Sequence, residues 1–369
     1  MNLINTTRFL ARQTMGMQPD GRQLLVVVVK GTFTIPAAGG EPETAPVQAP
    51  LVEADVFTGE PGKSAALYES EFAPRKPKCD VLLNGSAYAP GGVPAVRVQA
   101  MLQVGSMRKV LEVVGDRAWV KGLMMITATR PIPFKSKTIS YDTAFGGIDA
   151  DAKPPQFYPL NHAGMGFHAN LSAEAINGKR LPNTQEVGVE VTSPKGSYRP
   201  MAFGPVGRAW KSRAPLAGTY DQKWIDEVCP FLPADFKEEY YQAAPPDQQI
   251  PYPKGGEEVT LLNLTPDGQR KFRLPAVEVP LTYFQRERDP IEAAPVIDTI
   301  LFEPDLGRFS MLWRHCLPLK RDVFEIPQIL VGRMSRAWNK ARRLGKVYCD
   351  SLEAAIHSPG RRTRGVAST

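Results

Sequence analysis

Three aspartates and two histidines crowd one glycine-rich part of this chain. "SYDTAFGGIDADAKP" carries Asp142, Asp149 and Asp151 around Gly146-Gly147, and "NHAGMGFHAN" carries His162 and His168. Paired carboxylates can serve as acid and base in glycoside hydrolysis, or hold calcium. Histidines with a neighbouring carboxylate can hold a metal. Each reading meets an obstacle. There is no EF-hand spacing and no matched glutamate, and two histidines six apart fit no known helix or finger site. The expectation is a glycine-pinned turn whose carboxylates accept backbone N–H groups, with no metal and no cofactor.

Other catalytic patterns are missing. The chain has no GxSxG elbow, no Walker loop and no GxGxxG after a strand. Cys229 in "EVCPFLP" lacks a basic neighbour to activate its thiol. Cys79, Cys229, Cys316 and Cys349 lie far apart and form no CxxC pair, so neither a zinc site nor a disulfide framework is expected. Reduced, buried thiols in a cytoplasmic protein with no visible catalytic centre are the simplest reading.

The elements that would position such residues read as strands. Proline, 35 of 369 residues, is about twice its usual share, which favours turns and short strands over long helices. "QPDG" at 18–21 is a turn signal, and "RQLLVVVVKGTFTI" follows as a strand whose unbroken apolar run predicts burial on both faces. "VPAVRVQAMLQV" and "MRKVLEVV" read as a hairpin about Gly105-Ser106. "EVTLLNL", the turn "TPDG" and "QRKFRLPAVEV" repeat the device. "VIDTILFEP", "RFSMLWRH" and "DVFEIPQILVG" add three strand candidates. The expected class is mainly β, with antiparallel sheets in a sandwich- or barrel-like arrangement.

Four regions follow: an N-terminal β region at 1–130, a loop- and aromatic-rich insert at 131–256, a C-terminal β region at 257–332 that packs with the first, and a basic helical end at 333–369. The longest apolar run of the first half, Leu24–Val29, is six residues. A membrane-spanning helix needs about 20, and the N-terminus lacks a signal-peptide pattern.

The insert contains "YYQAAPPDQQIPYP" at 240–253. No helix continues through Pro245 and Pro246, and no central strand takes its ladder bonds from them. The segment is either a preformed ledge beside Tyr240 and Tyr241 or a brace between the two β regions.

Charge is uneven. Residues 307–369 hold 13 Lys or Arg against 4 Asp or Glu, a net of +9, while the whole chain is +7, so residues 1–306 carry −2. In "RMSRAWNKARRLG" the residues Arg333, Arg336, Lys340 and Arg343 fall at helical spacing and share a stripe. "DSLEAAIH" adds a capping-box pattern, Asp350 with Glu353. The stripe suits nucleic acid or an acidic protein surface, and the protein surface is the favoured partner.

A resemblance goes further. "SYDTAFGGID", "NHAGMGF", "RLPN", "FGPVGRAWKSR", "GTYDQKWIDEVCPFLPADFKEEYYQAAPPDQQ" and "GGEEVTLLNL" occur in this order. The series resembles a bacterial domain-of-unknown-function family encoded in type VI secretion gene clusters, beside VgrG spike proteins and PAAR-like effectors. The resemblance covers roughly residues 20–330. It implies a non-enzymatic adaptor or chaperone that loads a PAAR-like effector onto the VgrG spike. The family pattern is met at Phe145, Gly146, Gly147 and Asp149, at Trp210, at Gly218, Tyr220, Asp221 and Trp224, and at Pro245, Pro246, Asp247 and Gln248. It departs at "NHAGMG", where the family has proline after asparagine. A carboxylate-dependent hydrolase and a nucleic-acid-binding protein remain the alternatives.

Overall fold

A computed structural model describes residues 1–348 other than 38, 124, 287 and 347. Strands carry 35% of the residues and helices 12%, so sheets make the architecture. The largest has six strands in the order Gln249–Ile250, Cys79–Leu83, Val296–Glu303, Arg308–Pro318, Gln23–Thr34 and Leu10–Met17. Its pairings are antiparallel except that Cys79–Leu83 runs parallel to Val296–Glu303. The two expected β regions therefore interleave in one sheet.

Strand Gln23–Thr34 is buried on both faces, as its apolar run predicts. Leu25, Val27 and Val29 point into the main core, while Leu24, Val26 and Val28 meet Leu312 beneath Leu51 and Phe72.

A five-stranded antiparallel sheet runs Thr184–Gln185, Met107–Val114, Arg97–Val104, Glu258–Leu262 and Gln269–Arg273. Both expected hairpins are here, with Gly105 and Gly268 supplying positive φ at their turns. A four-stranded sheet joins Asn2–Asn5, Gln328–Val331, Leu281–Phe284 and Ile291–Ala293. One core draws on all three, from Leu25 and Val81 through Leu102 and Leu111 to Leu281 and Val331. No sheet closes into a barrel among the described residues.

The structure corrects several expectations. Within the insert lie two short helices, Ala173–Ile176 and Gln222–Glu227, which show no periodicity because they are only four and six residues long. Ser172 and Asp221 start them by accepting the N–H three residues on. In "DVFEIPQILVG" only Gln328–Val331 is a strand. Val323–Glu325 forms a 3-10 turn in which Asp322 and Glu325 make a capping box. Cys79 is buried and Cys316 half-buried, but Cys229 is exposed just beyond the surface helix Gln222–Glu227. Cys349 and the Asp350–Glu353 pattern lie outside the described residues. No described helix is long and apolar enough to cross a membrane.

Candidate functional site

The proline-rich segment is largely internal. Asp80 is fully buried in strand Cys79–Leu83, where its carboxylate accepts from the Gln242 amide at 2.5 Å and from the Ala243 and Ala244 N–H groups at 2.8 and 3.1 Å. Lys76 Nζ completes the set at 2.8 Å and also donates to Thr299. An isolated buried carboxylate is costly, and these donors satisfy it. Six residues on, the buried Gln248 donates to the Val81 and Phe203 carbonyls and accepts from Lys109 Nζ at 2.6 Å. Asp247 pairs with Arg199 at 2.7 Å and lies 3.4 Å from Lys109. Of the residues between, Pro245 is half-buried and Pro246 exposed. The segment is a brace, with a single proline at its outer corner.

Ahead of this brace stands an aromatic head. Asp221 caps helix Gln222–Glu227, and its Trp224 ring lies 4.7 Å from Tyr220 and donates Nε1–H to the Phe231 carbonyl. Phe236, Tyr240 and Tyr241 pack as a second group, and the Tyr241 pKa is pushed up to about 12 by burial. Arg213 fastens this group from below. It grips Glu69 with both terminal nitrogens at 2.6 Å and donates to the Tyr240 and Val206 carbonyls. Arg208 joins Glu69 at 2.5 Å and Asp55 at 2.9 Å, and both guanidinium groups lie beside the Tyr240 ring. Outward, Tyr220, Ile225 and Phe231 are 52%, 55% and 45% exposed. Ile225 lies on the helix and Tyr220 and Phe231 flank it in sequence, and singly exposed apolar residues are ordinary.

Asp142 and Asp149 are spent on holding loops. Asp142 accepts from the Ala65 N–H and from the Thr58 and Ser140 hydroxyls at 2.7 to 2.8 Å. Asp149 is buried, accepting from the Ala169, Asn170 and Asp151 N–H groups. Burial pushes its pKa up, but the N–H donors outweigh that and leave it below the usual carboxylate range. This arrangement lends nothing to a hydrolase reading. His162 packs on Phe157 at 4.5 Å, and burial lowers the pKa of both His162 and His168. No group of three or more His, Cys, Asp or Glu gathers for a metal among the described residues.

The remaining motif residues are structural. Phe145 fills a second core with Trp119, Tyr158 and Ile176. A Cβ on Gly146 or Gly147 would lie 2.2 or 2.5 Å from the Asn161 or Gly164 carbonyl oxygen, at φ of +152° and +107°. Trp210 is buried edge-on to Tyr141 at 5.1 Å.

At the far end, helix Arg336–Arg343 begins at Ser335. Arg336, Lys340 and Arg343 are exposed along it; Arg333, expected in the same helical stripe, instead precedes the Ser335 cap and pairs with Glu278 at the surface. Arg342, which the sequence did not single out, instead turns onto the four-stranded sheet, 3.7 Å above the Phe284 ring.

Sequence reading also missed the buried ion pairs Lys30–Glu71, Lys76–Asp80, Arg213–Glu69 and Arg314–Asp298. A signal was present for three: Lys30, Asp80 and Asp298 each interrupt an apolar strand run.

Residues 20–314 match the family described as an uncharacterized protein conserved in bacteria (DUF2169). The chain belongs to the DUF2169 family. In this DUF2169 member the match takes in the brace, the aromatic head and most of the six-stranded sheet, and it stops short of the basic helix. Neither the curated proteins nor the solved structures returned a match.

Proposed function

We propose that this DUF2169 chain is a non-enzymatic adaptor of type VI secretion. It binds a PAAR-like effector and helps load it onto the VgrG spike. The observation that carries the reading is the aromatic head. Tyr220, Ile225 and Phe231 are exposed in a segment held by Thr219 on Asp235, by the Trp224–Phe231 bond and by Phe231 against Gly21. A partner meeting a pre-fastened apolar surface loses little entropy on binding, and aromatic groups supply much of the contact energy. The secretion context and the identity of the partners come from the resemblance of the ordered motifs.

The test is co-expression with a type VI PAAR-like effector, followed by titration of the purified pair. Wild type is expected to form a stable complex. Replacing Tyr220, Ile225 and Phe231 together by alanine should weaken it about a hundredfold or more, at about 1–2 kcal/mol per anchor. A wild-type chain that does not bind the effector overturns the adaptor reading. Undiminished binding by the triple variant moves the contact away from the head.

A further inference from the structure

Strand Leu10–Met17 ends the six-stranded sheet, and its inner side pairs residue for residue with Gln23–Thr34. The Gln18 N–H donates to the Arg22 carbonyl at 2.9 Å, one step beyond the strand. Bonded positions alternate in an antiparallel ladder. Leu10, Arg12, Thr14 and Gly16 therefore turn their main-chain groups inward, and Ala11, Gln13, Met15 and Met17 turn theirs outward. The opposite side of the central strand has the complementary phase, since Leu319 N–H donates to Gln23 and Ile35 N–H to Gly307.

Among the described residues, nothing hydrogen-bonds to the outward groups of Ala11, Gln13, Met15 and Met17. Proteins usually blunt such an edge with proline, lysine, a bulge or a covering loop. This one is eight residues long, carries neither proline nor lysine, pairs without a register shift and has no buried residue. Leu10 and Met15 are exposed beside it.

We propose that an extended, acidic segment of the cargo protein adds to this edge as a seventh strand, an inference that rests on the adaptor reading. Main-chain bonds supply the affinity in such additions, and side chains set the choice of partner. Charge selects the occupant here. Residues 1–17 contain Arg8 and Arg12 and no acid, and Arg12 meets Glu53 only in a highly exposed pair, of the kind that holds weakly. A second copy would bring the same two arginines, and its strand has no carboxylate of its own to answer them. The edge is also continuous with the aromatic head. The Phe231 ring lies against Gly21 in the turn that ends the strand, 2.9 Å from where a Cβ would stand.

The probe is a fluorescein-labelled octapeptide of alternating valine and glutamate, with a valine–lysine peptide as control. Wild type is expected to bind the acidic peptide, prefer it to the basic one, and slow amide exchange at Ala11, Gln13, Met15 and Met17. Gln13→Pro removes an outward N–H and no inner ladder bond, and should weaken binding about tenfold or more. Arg8→Glu with Arg12→Glu should reverse the peptide preference, and it decides the matter if the proline variant does not fold. No binding of the acidic peptide, or unchanged binding in both variants, overturns the proposal. So does protection of the same amides in the chain alone that rises with its own concentration, which assigns the edge to a second copy. Cargo capture retained by Gln13→Pro rejects the edge and leaves the adaptor standing, whereas wild type that captures no cargo rejects the adaptor itself.

Discussion

Gln248 and Lys109 stand 139 positions apart and meet at 2.6 Å, the lysine Nζ donating to the amide oxygen. The same amide donates to two main-chain carbonyls, so one buried side chain ties the proline-rich segment to both large sheets. Asp80 holds Gln242, Ala243 and Ala244 to the six-stranded sheet. The segment that follows Tyr240 and Tyr241 is held by these two anchors.

Removing the first anchor should be costly. Asp80→Ala strands Lys76 in the interior and leaves the Gln242–Ala244 donors without an acceptor. The expected loss is about 3–5 kcal/mol, read by chemical denaturation. A loss under about 1 kcal/mol would show that the segment is held some other way.

Lys109 gives a pH signature. Burial pushes its pKa down to about 8, against the attraction of Asp247, with Arg199 adding to the depression. The unfolded lysine titrates near 10.4. Between these values the unfolded chain holds a proton that the folded chain has released, so stability from this site rises with pH, by about 3 kcal/mol across the window. Relative to Lys109→Met, wild type should gain about 1 kcal/mol per pH unit from pH 8 to 10, measured by urea unfolding. Parallel curves would refute the depressed pKa.

Gly147→Ala should destabilise by about 2 kcal/mol or more. It places a Cβ 2.5 Å from a backbone oxygen and forces a side chain onto positive φ. Thermal unfolding checks this, and Gly256→Ala serves as control, because it also has positive φ but open space around it.

The basic stripe should act on rate. Reversing Arg336, Lys340 and Arg343 to glutamate changes exposed positions, so stability should move by less than about 0.5 kcal/mol. Effector capture should slow at low salt, and the difference should shrink as salt shortens the screening length to about 8 Å. Unchanged capture kinetics at low salt would make the stripe ordinary solvated surface.

Periodicity and turn chemistry are local, and they were legible in the sequence. The doubly buried strand at Gln23–Thr34, the hairpin turns at Gly105 and Gly268, and the helical stripe from Arg336 to Arg343 all follow from residues within one or two turns of each other. The polar interior was not legible in the same way. Lys30, Asp80 and Asp298 interrupt apolar runs, which marks them as unusual but names no partner. Asp80 finds its partners at Lys76 and, more than 160 positions later, at Gln242 to Ala244. Whether "AAPPDQQ" was ledge or brace depended on those distant acceptors. Proline fixes φ and withholds a donor wherever it sits, so the segment's own residues are the same in either role. Tertiary structure decided it by bringing a buried carboxylate within 2.5 Å of Gln242, because a charge in the interior has to be met by donors and only the folded chain could supply them.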